Sequence, residues 1–115
     1  MPKILLAEDD TTMVSLLKTL LTMEGFEVAN LLDFSGDILQ NIAREKPDVL
    51  LLDVYLGDQN GIDILSRMRK APDLQGVKVI MASGINMEAE CLEAGANSFL
   101  LKPYMPEDLL LKLRS

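Results

Sequence analysis

Pro47-Asp48-Val49-Leu50-Leu51-Leu52-Asp53 is the stretch that decides the fold. Its four consecutive apolar residues show no polar alternation, the pattern of a strand buried on both faces of a parallel sheet. Asp53 marks the point where that strand leaves the core. Three other runs end in the same way. Residues 4–7 lead into Glu8-Asp9-Asp10, residues 77–82 into Ser83, and residues 99–101 into Lys102-Pro103. As parallel strands of one sheet, these runs would gather an acid cluster, a hydroxyl and an ammonium at one edge.

Between the apolar runs the period changes. Met13, Leu16, Leu17, Leu20 and Leu21 recur three and four residues apart, which predicts a helix over 11–24 with one apolar face. Asp10 or Thr11 can cap it, and Gly25 can end it in the left-handed conformation. A weaker strand is expected over 26–29. A helix over 36–45 follows, with Ile38, Leu39, Ile42 and Ala43 apolar, halted by Pro47. Gly61 precedes a helix with Ile62, Leu65 and Met68 inward, ending near Pro72. A helix over 87–94 stopped by Gly95, a strand over 98–101 and a helix from Pro106 complete the chain. Five strand–helix repeats imply a parallel sheet covered on both faces, joined by right-handed crossovers. In such sheets ligands bind at the carboxyl ends of the strands, where the winding reverses.

Composition narrows the function. At 115 residues the chain reads as one domain over 1–115. A net charge of −7 argues against direct nucleic-acid or anionic-membrane contact. No apolar run reaches the roughly 18 residues of a membrane span. Met1-Pro2-Lys3 leads straight into a strand, so no signal peptide is expected. One cysteine, Cys91, allows no internal disulfide and reads as a half-buried structural thiol, in keeping with a cytoplasmic location. The chain has no histidine, which removes the commonest general base and a phosphohistidine carrier role.

The polar exits carry the chemistry. Neighbouring strands lie roughly 4.8 Å apart. If the first and third strands adjoin, the carboxylates that follow them nearly touch. Two such charges about 4 Å apart repel by around 4 kcal/mol at an effective dielectric of about 20. A cation relieves this, and an all-oxygen set suits Mg2+ better than Zn2+. Asp53 can then act as a nucleophile toward phosphorus, with Lys102 and Ser83 meeting the phosphoryl oxygens. A solvated acid, an ordinary helix-capping serine and an ordinary loop lysine are the plainer readings of the single residues. Their joint order along the strands favours a site.

With those residues in place, the chain resembles the receiver domain of bacterial two-component response regulators along essentially its full length. The matching pattern is the acidic cluster after the first strand, "PDVLLLD" through Asp53, Gly61, Ser83 and "EAGANSFLLKP". The resemblance implies a flavodoxin-like, doubly wound α/β fold. It would have a five-stranded parallel sheet in the order 2-1-3-4-5 between two helices on one face and three on the other. It also implies roles. Asp53 would accept a phosphoryl group from a sensor histidine kinase or a histidine phosphotransfer protein. Glu8 and Asp9 would form the acidic pair, with Asp9, Asp53 and the Tyr55 carbonyl as ligands of Mg2+, or of Mn2+ in its place. Ser83 and Lys102 would meet the phosphate, Lys102-Pro103 would be cis, and Phe99 would sit at the aromatic switch position. Such a protein catalyses its own phosphorylation and slow autodephosphorylation, and passes the signal to an output domain or protein. The family's signalling face, fourth helix, fifth strand and fifth helix, leaves room for a phosphorylation-dependent dimer.

Departures from the family pattern set further expectations. Phe99 lacks the hydroxyl of the more usual tyrosine, so a switch there must work by ring burial. Gly57 stands where a proline is usual, which loosens that loop. The segment from Ser83 to Lys102 is about three residues shorter than in typical members, which should trim the loop or the first turn of the fourth helix. These features motivate an alternative, a phosphorylation-independent interaction module on the same fold. A free-standing aspartyl-phosphate hydrolase is disfavoured, because Tyr55 stands where such enzymes carry a second acid. Tyr55 and Ile85 would flank the phosphoryl group and hinder water.

Overall fold

The computed structural model describes residues 2–115. Twelve elements follow one another: β1 (Lys3–Ala7), α1 (Thr11–Met23), β2 (Glu27–Asn30), α2 (Ile38–Glu45), β3 (Val49–Asp53), β4 (Tyr55–Leu56), β5 (Gln59–Asn60), α3 (Gly61–Arg69), β6 (Lys78–Ser83), α4 (Glu88–Glu93), β7 (Ser98–Leu101) and α5 (Pro106–Arg114). Five strands form one parallel sheet in the order β2-β1-β3-β6-β7. Counting the sheet strands alone, this is the expected order 2-1-3-4-5. The hairpin β4–β5 lies outside that sheet and was not foreseen.

Side-chain alternation divides the apolar strands between two cores. Leu50 and Leu52 point to one face, joining Leu5, Val79 and Met81 beneath α2, α3 and α4 through Ile42, Leu65, Met68 and Cys91. Leu51 points to the other, with Ile4, Leu6 and Ile80 beneath Leu17 and Leu21 of α1 and Leu109 of α5. Burying a Leu or Ile side chain contributes about 1.5–3 kcal/mol. All five residues of β3 are buried, so this strand fixes both layers at once.

Several boundaries and faces differ from the sequence expectation. Leu16 is 54% exposed; the buried stripe of α1 centres on Leu17 and Leu21, and Leu16 lies to the solvent side of it. The second strand begins at Glu27, paired with Lys3, while Phe26 packs into the α1 core. α2 starts at Ile38 because the Asp37 carboxylate accepts from the Gln40 N–H, and it closes on Lys46 in the left-handed conformation before Pro47 can act. Gly61 is the first residue of α3 rather than the one before it, capped by Asn60. That helix ends at Arg69, short of Pro72. α4 spans only Glu88–Glu93. Cys91 is fully buried, since it lies on the face of α4 turned into the core. The ends of β7 and the start of α5 fall where expected.

Candidate functional site at the carboxyl edge of the sheet

Strand register assembles the site. Ala7 pairs with Leu52, so Glu8 and Asp53 are the next residues out on adjoining strands. Asp53 pairs in turn with Ala82, and Ser83 with Leu101, which puts Ser83 and Lys102 next along the same rim. The Lys102 N–H donates to the Ser83 carbonyl at 2.8 Å, tying the last two strand ends together. Lys102-Pro103 is cis, as the resemblance implied.

Three carboxylates meet there. Glu8, Asp9 and Asp53 each offer an oxygen, and these oxygens lie within 4.8 Å of one another. Glu8 and Asp53 are buried, Asp9 is exposed. Three carboxylates with no sulfur or imidazole among them fit a hard divalent cation such as Mg2+. Lys102 reaches the two buried acids from across the rim: its Nζ stands 2.7 Å from Glu8 Oε1 and 2.9 Å from Asp53 Oδ1. The remaining Glu8 oxygen accepts from the Asp9 N–H at 3.0 Å. Asp10, the third acid of the run, turns away to cap α1, accepting from the N–H groups of Thr12 and Met13.

Glu8 and Asp53 titrate as a pair. Burial, reinforced by neighbouring Glu8 and opposed by Lys102, pushes the Asp53 carboxyl up to about 8. Burial also raises the Glu8 carboxyl, but its hydrogen bonds to Asp53 and Lys102 outweigh this and hold it below the ordinary value. Lys102 is lowered by burial and raised more by the two acids. Two carboxylates against one ammonium leave an excess negative charge in a poorly solvated place, so the pair keeps its last proton unusually tightly.

A small structural device holds Asp53 and its surroundings in place. β4 and β5 form a two-residue hairpin around Gly57-Asp58, with Tyr55 opposite Asn60. Gly57 has φ +60. With Asp58 not at positive φ, a positive φ at the first central residue alone is the type II′ arrangement, for which glycine is favoured. The hairpin closes onto β3 at Gly61, where a Cβ would fall on the Asp53 carbonyl. At its tip, the Gly57 N–H donates to Asp9 Oδ2 at 2.9 Å. The two short pairs flanking Gly-Asp are a hairpin signal that could have been read from the sequence.

Ser83 is buried, and its Oγ accepts from the Ile85 N–H at 3.1 Å. Phe99 is buried in the core shared by α2, α3 and α4. Tyr55 and Ile85, two residues beyond Asp53 and Ser83, are 56% and 62% exposed. The Tyr55 hydroxyl donates to Met87 Sδ at 3.5 Å, joining the hairpin to the loop before α4. Neither Tyr55–Met87 nor Gly57–Asp9 was anticipated.

Residues 4–114 match the response regulator receiver domain family. The chain is 38% identical, over its full length, to the transcriptional regulatory protein CpxR of Klebsiella pneumoniae, and covers 49% of that relative. It thus spans about half the length of the first curated relatives it matches. Among solved structures, it is similar to the N-terminal domain of the nisin resistance regulator NsrR, a lantibiotic response regulator. The TM-score is 0.87 at 32% identity, over 99% of this chain and 96% of that one. It is also similar to the receiver domain of the sensor histidine kinase PA1611 of Pseudomonas aeruginosa, which was solved with a magnesium ion coordinated in its active site cleft. There the TM-score is 0.78 at 25% identity, over 98% of this chain and 95% of that one.

Proposed function

The chain belongs to the response regulator receiver domain family, and we propose that it is a phosphorylation switch in which Asp53 is the phosphoacceptor. The observation that carries this reading is the convergence of Glu8, Asp9, Asp53 and Lys102 at one sheet edge. In the reaction a carboxylate oxygen of Asp53 attacks the phosphorus of a phosphohistidine on a kinase or phosphotransfer protein. The new O–P bond forms as the P–N bond breaks, and the imidazole leaves with the electron pair and takes up a proton from solvent. Such transfers need positioning and charge neutralisation more than covalent chemistry. Lys102 supplies a positive charge already at the nucleophile, and Ser83 a hydroxyl on the neighbouring strand end. Glu8, Asp9 and Asp53, with the Tyr55 carbonyl, would hold Mg2+. When bound, the ion would neutralise phosphoryl oxygens and release Asp53 from its proton.

Phosphorylated Asp53 would carry about −1.5 to −2 charge where the carboxylate carried one. That charge competes for Lys102 and offers acceptor oxygens to Ser83, which biases the loop between β6 and α4. Phe99, buried in the core that β7 shares with α4, is positioned to register the change by repacking. Leu92, Leu101 and Leu111 are exposed on α4, β7 and α5, which supports that face as the contact for a second copy or an output domain. No helix of the described residues is long and apolar enough to cross a membrane.

The test is mass spectrometry after incubation with Mg2+ and acetyl phosphate or phosphoramidate, then with a competent kinase. We expect one phosphate on the parent chain and none on Asp53→Asn. An unmodified parent under every donor overturns the proposal. The short α4, whose N-cap residue Met87 makes no side-chain capping hydrogen bond, favours one competing reading, an interaction module indifferent to phosphate. Partner binding that survives Asp53→Asn unchanged would support that reading instead.

A further inference from the structure

Asp9 is the exposed member of the acid cluster, and an exposed carboxylate on a single residue is ordinarily a free rotor. Here it is not free. The Gly57 N–H donates to its Oδ2 at 2.9 Å across 48 residues of sequence. The donor itself is held from both sides. Gly57 occupies the positive-φ corner of the β4–β5 hairpin, and the hairpin is locked to the end of β3. There the Gly61 N–H donates to the Val54 carbonyl at 2.6 Å, and Gly61 leaves no room for a Cβ above the Asp53 carbonyl. A continuous path of contacts therefore runs from the Asp53 backbone through the hairpin to the Asp9 carboxylate.

We infer that Gly57 is a positioning residue, whose backbone N–H presets the Asp9 carboxylate for a divalent cation shared with Asp53. This rests on the cation reading proposed above and concerns one donor within it. A carboxylate has about four lone-pair positions. The amide occupies one, leaving Oδ1 and a second site on Oδ2 for the ion. The hydrogen bond withdraws some charge, which weakens a ligand, and fixes its orientation, which strengthens one. Orientation wins where the ligand would otherwise be mobile and solvated, as Asp9 would be. Partners that orient metal ligands are typically worth about 10–100-fold in affinity. The requirement falls on the backbone: position 57 must carry an N–H and tolerate a positive φ. Glycine meets both, asparagine meets both less easily, and proline meets neither.

The measurement is the dissociation constant for Mg2+ alone, by titration calorimetry on the full chain, with thermal unfolding recorded in parallel. Gly57→Pro is expected to weaken binding about tenfold, whereas Gly57→Asn stays within about threefold of the parent. Because proline can also disturb the hairpin, a semisynthetic chain with an ester in place of the 57 amide removes the N–H without constraining φ. It too should lose about tenfold. In an Asp9→Ala background the ester should cost nothing further, which a general loss of fold stability would not reproduce. Parent-like affinity in the ester chain, or an equal loss without Asp9, overturns the inference. A parent that binds no Mg2+ overturns the cation reading as well, and this outcome is read on the parent alone.

Discussion

The Lys102 ammonium lies 2.9 Å from Asp53 Oδ1, although the two residues stand 49 positions apart and on strands that do not adjoin. It is also 2.7 Å from Glu8, so one cation holds two buried acids. Breaking one partner out of a buried ion pair costs about 3–5 kcal/mol. Lys102 keeps some contact with water, and the acid pair can take up a proton, so Lys102→Met should cost about 1–3 kcal/mol. Urea denaturation in metal-free buffer measures this. Saturating Mg2+ should shrink the difference, because a bound cation replaces the lost charge. A loss that is the same with and without Mg2+ would show that Lys102 acts by packing alone.

Asp53 makes the metal-free protein sensitive to pH. Its carboxyl is raised to about 8 in the folded chain and would titrate near about 3.9 when unfolded. The folded state therefore binds this proton more tightly. The contribution is fully present below the unfolded value and is lost as pH rises toward the folded one. Glu8, held below its ordinary value, contributes in the opposite sense and only in the acid range. Melting temperature in EDTA should thus fall between about pH 5 and about pH 8. In Asp53→Asn that fall should flatten, and Mg2+ should abolish it in the parent. Parallel slopes for parent and variant would place the pH dependence elsewhere.

Arg69 is a structural counterpart at the far end of the sheet. Its Nε donates to the Gly95 carbonyl at 2.9 Å, and its Nη1 to the carbonyls of Gln75 and Val77 at 3.1 and 2.8 Å. Nη2 reaches Asn97 Oδ1, which also accepts from the Val79 N–H. The guanidinium thus joins the end of α3 to the turns entering β6 and β7. Hydrogen bonds to charged groups contribute about 1.5–3 kcal/mol each, and less when summed. Arg69→Ala should cost at least about 2 kcal/mol in urea denaturation. Arg69→Lys should recover little, since a single ammonium cannot span the fork. Full recovery by lysine would mean that charge, not geometry, matters there.

The contrast between these residues shows what a sequence exposes. Asp53 and Lys102 are legible because each ends an apolar run, and strand order alone brings such ends to one edge. The division of Leu50 and Leu51 between two cores follows from strand alternation. The Arg69 knot is not legible, since all its acceptors but Asn97 Oδ1 are backbone carbonyls and nothing in the side-chain pattern marks them. The Gly57–Asp9 bond is hidden for the same reason: its donor is an amide. Leu16 was misassigned because a helical period fixes which residues share a stripe, while its centre depends on how the helix sits on the sheet.

Tyr55 gives the last prediction. It is more than half exposed, two residues beyond Asp53, and its hydroxyl donates to Met87 Sδ at 3.5 Å. The side chain thus spans from the hairpin to the loop after Ser83, and with Asp53 as the proposed phosphoacceptor it would hinder the approach of water. Hydrolysis needs a water in line with the leaving carboxylate, and bulk held over the site lowers the chance of finding one. Ile85, also exposed, adds apolar bulk without a group that could orient water. Tyr55→Asn removes the ring and supplies an amide able to hold a water, so loss of phosphate should accelerate severalfold. Tyr55→Phe keeps the ring but drops the contact to Met87, and should accelerate less. Phosphate release followed by mass spectrometry after donor removal gives both rates. If the asparagine variant releases phosphate no faster than the parent, shielding by the ring is not what sets the lifetime.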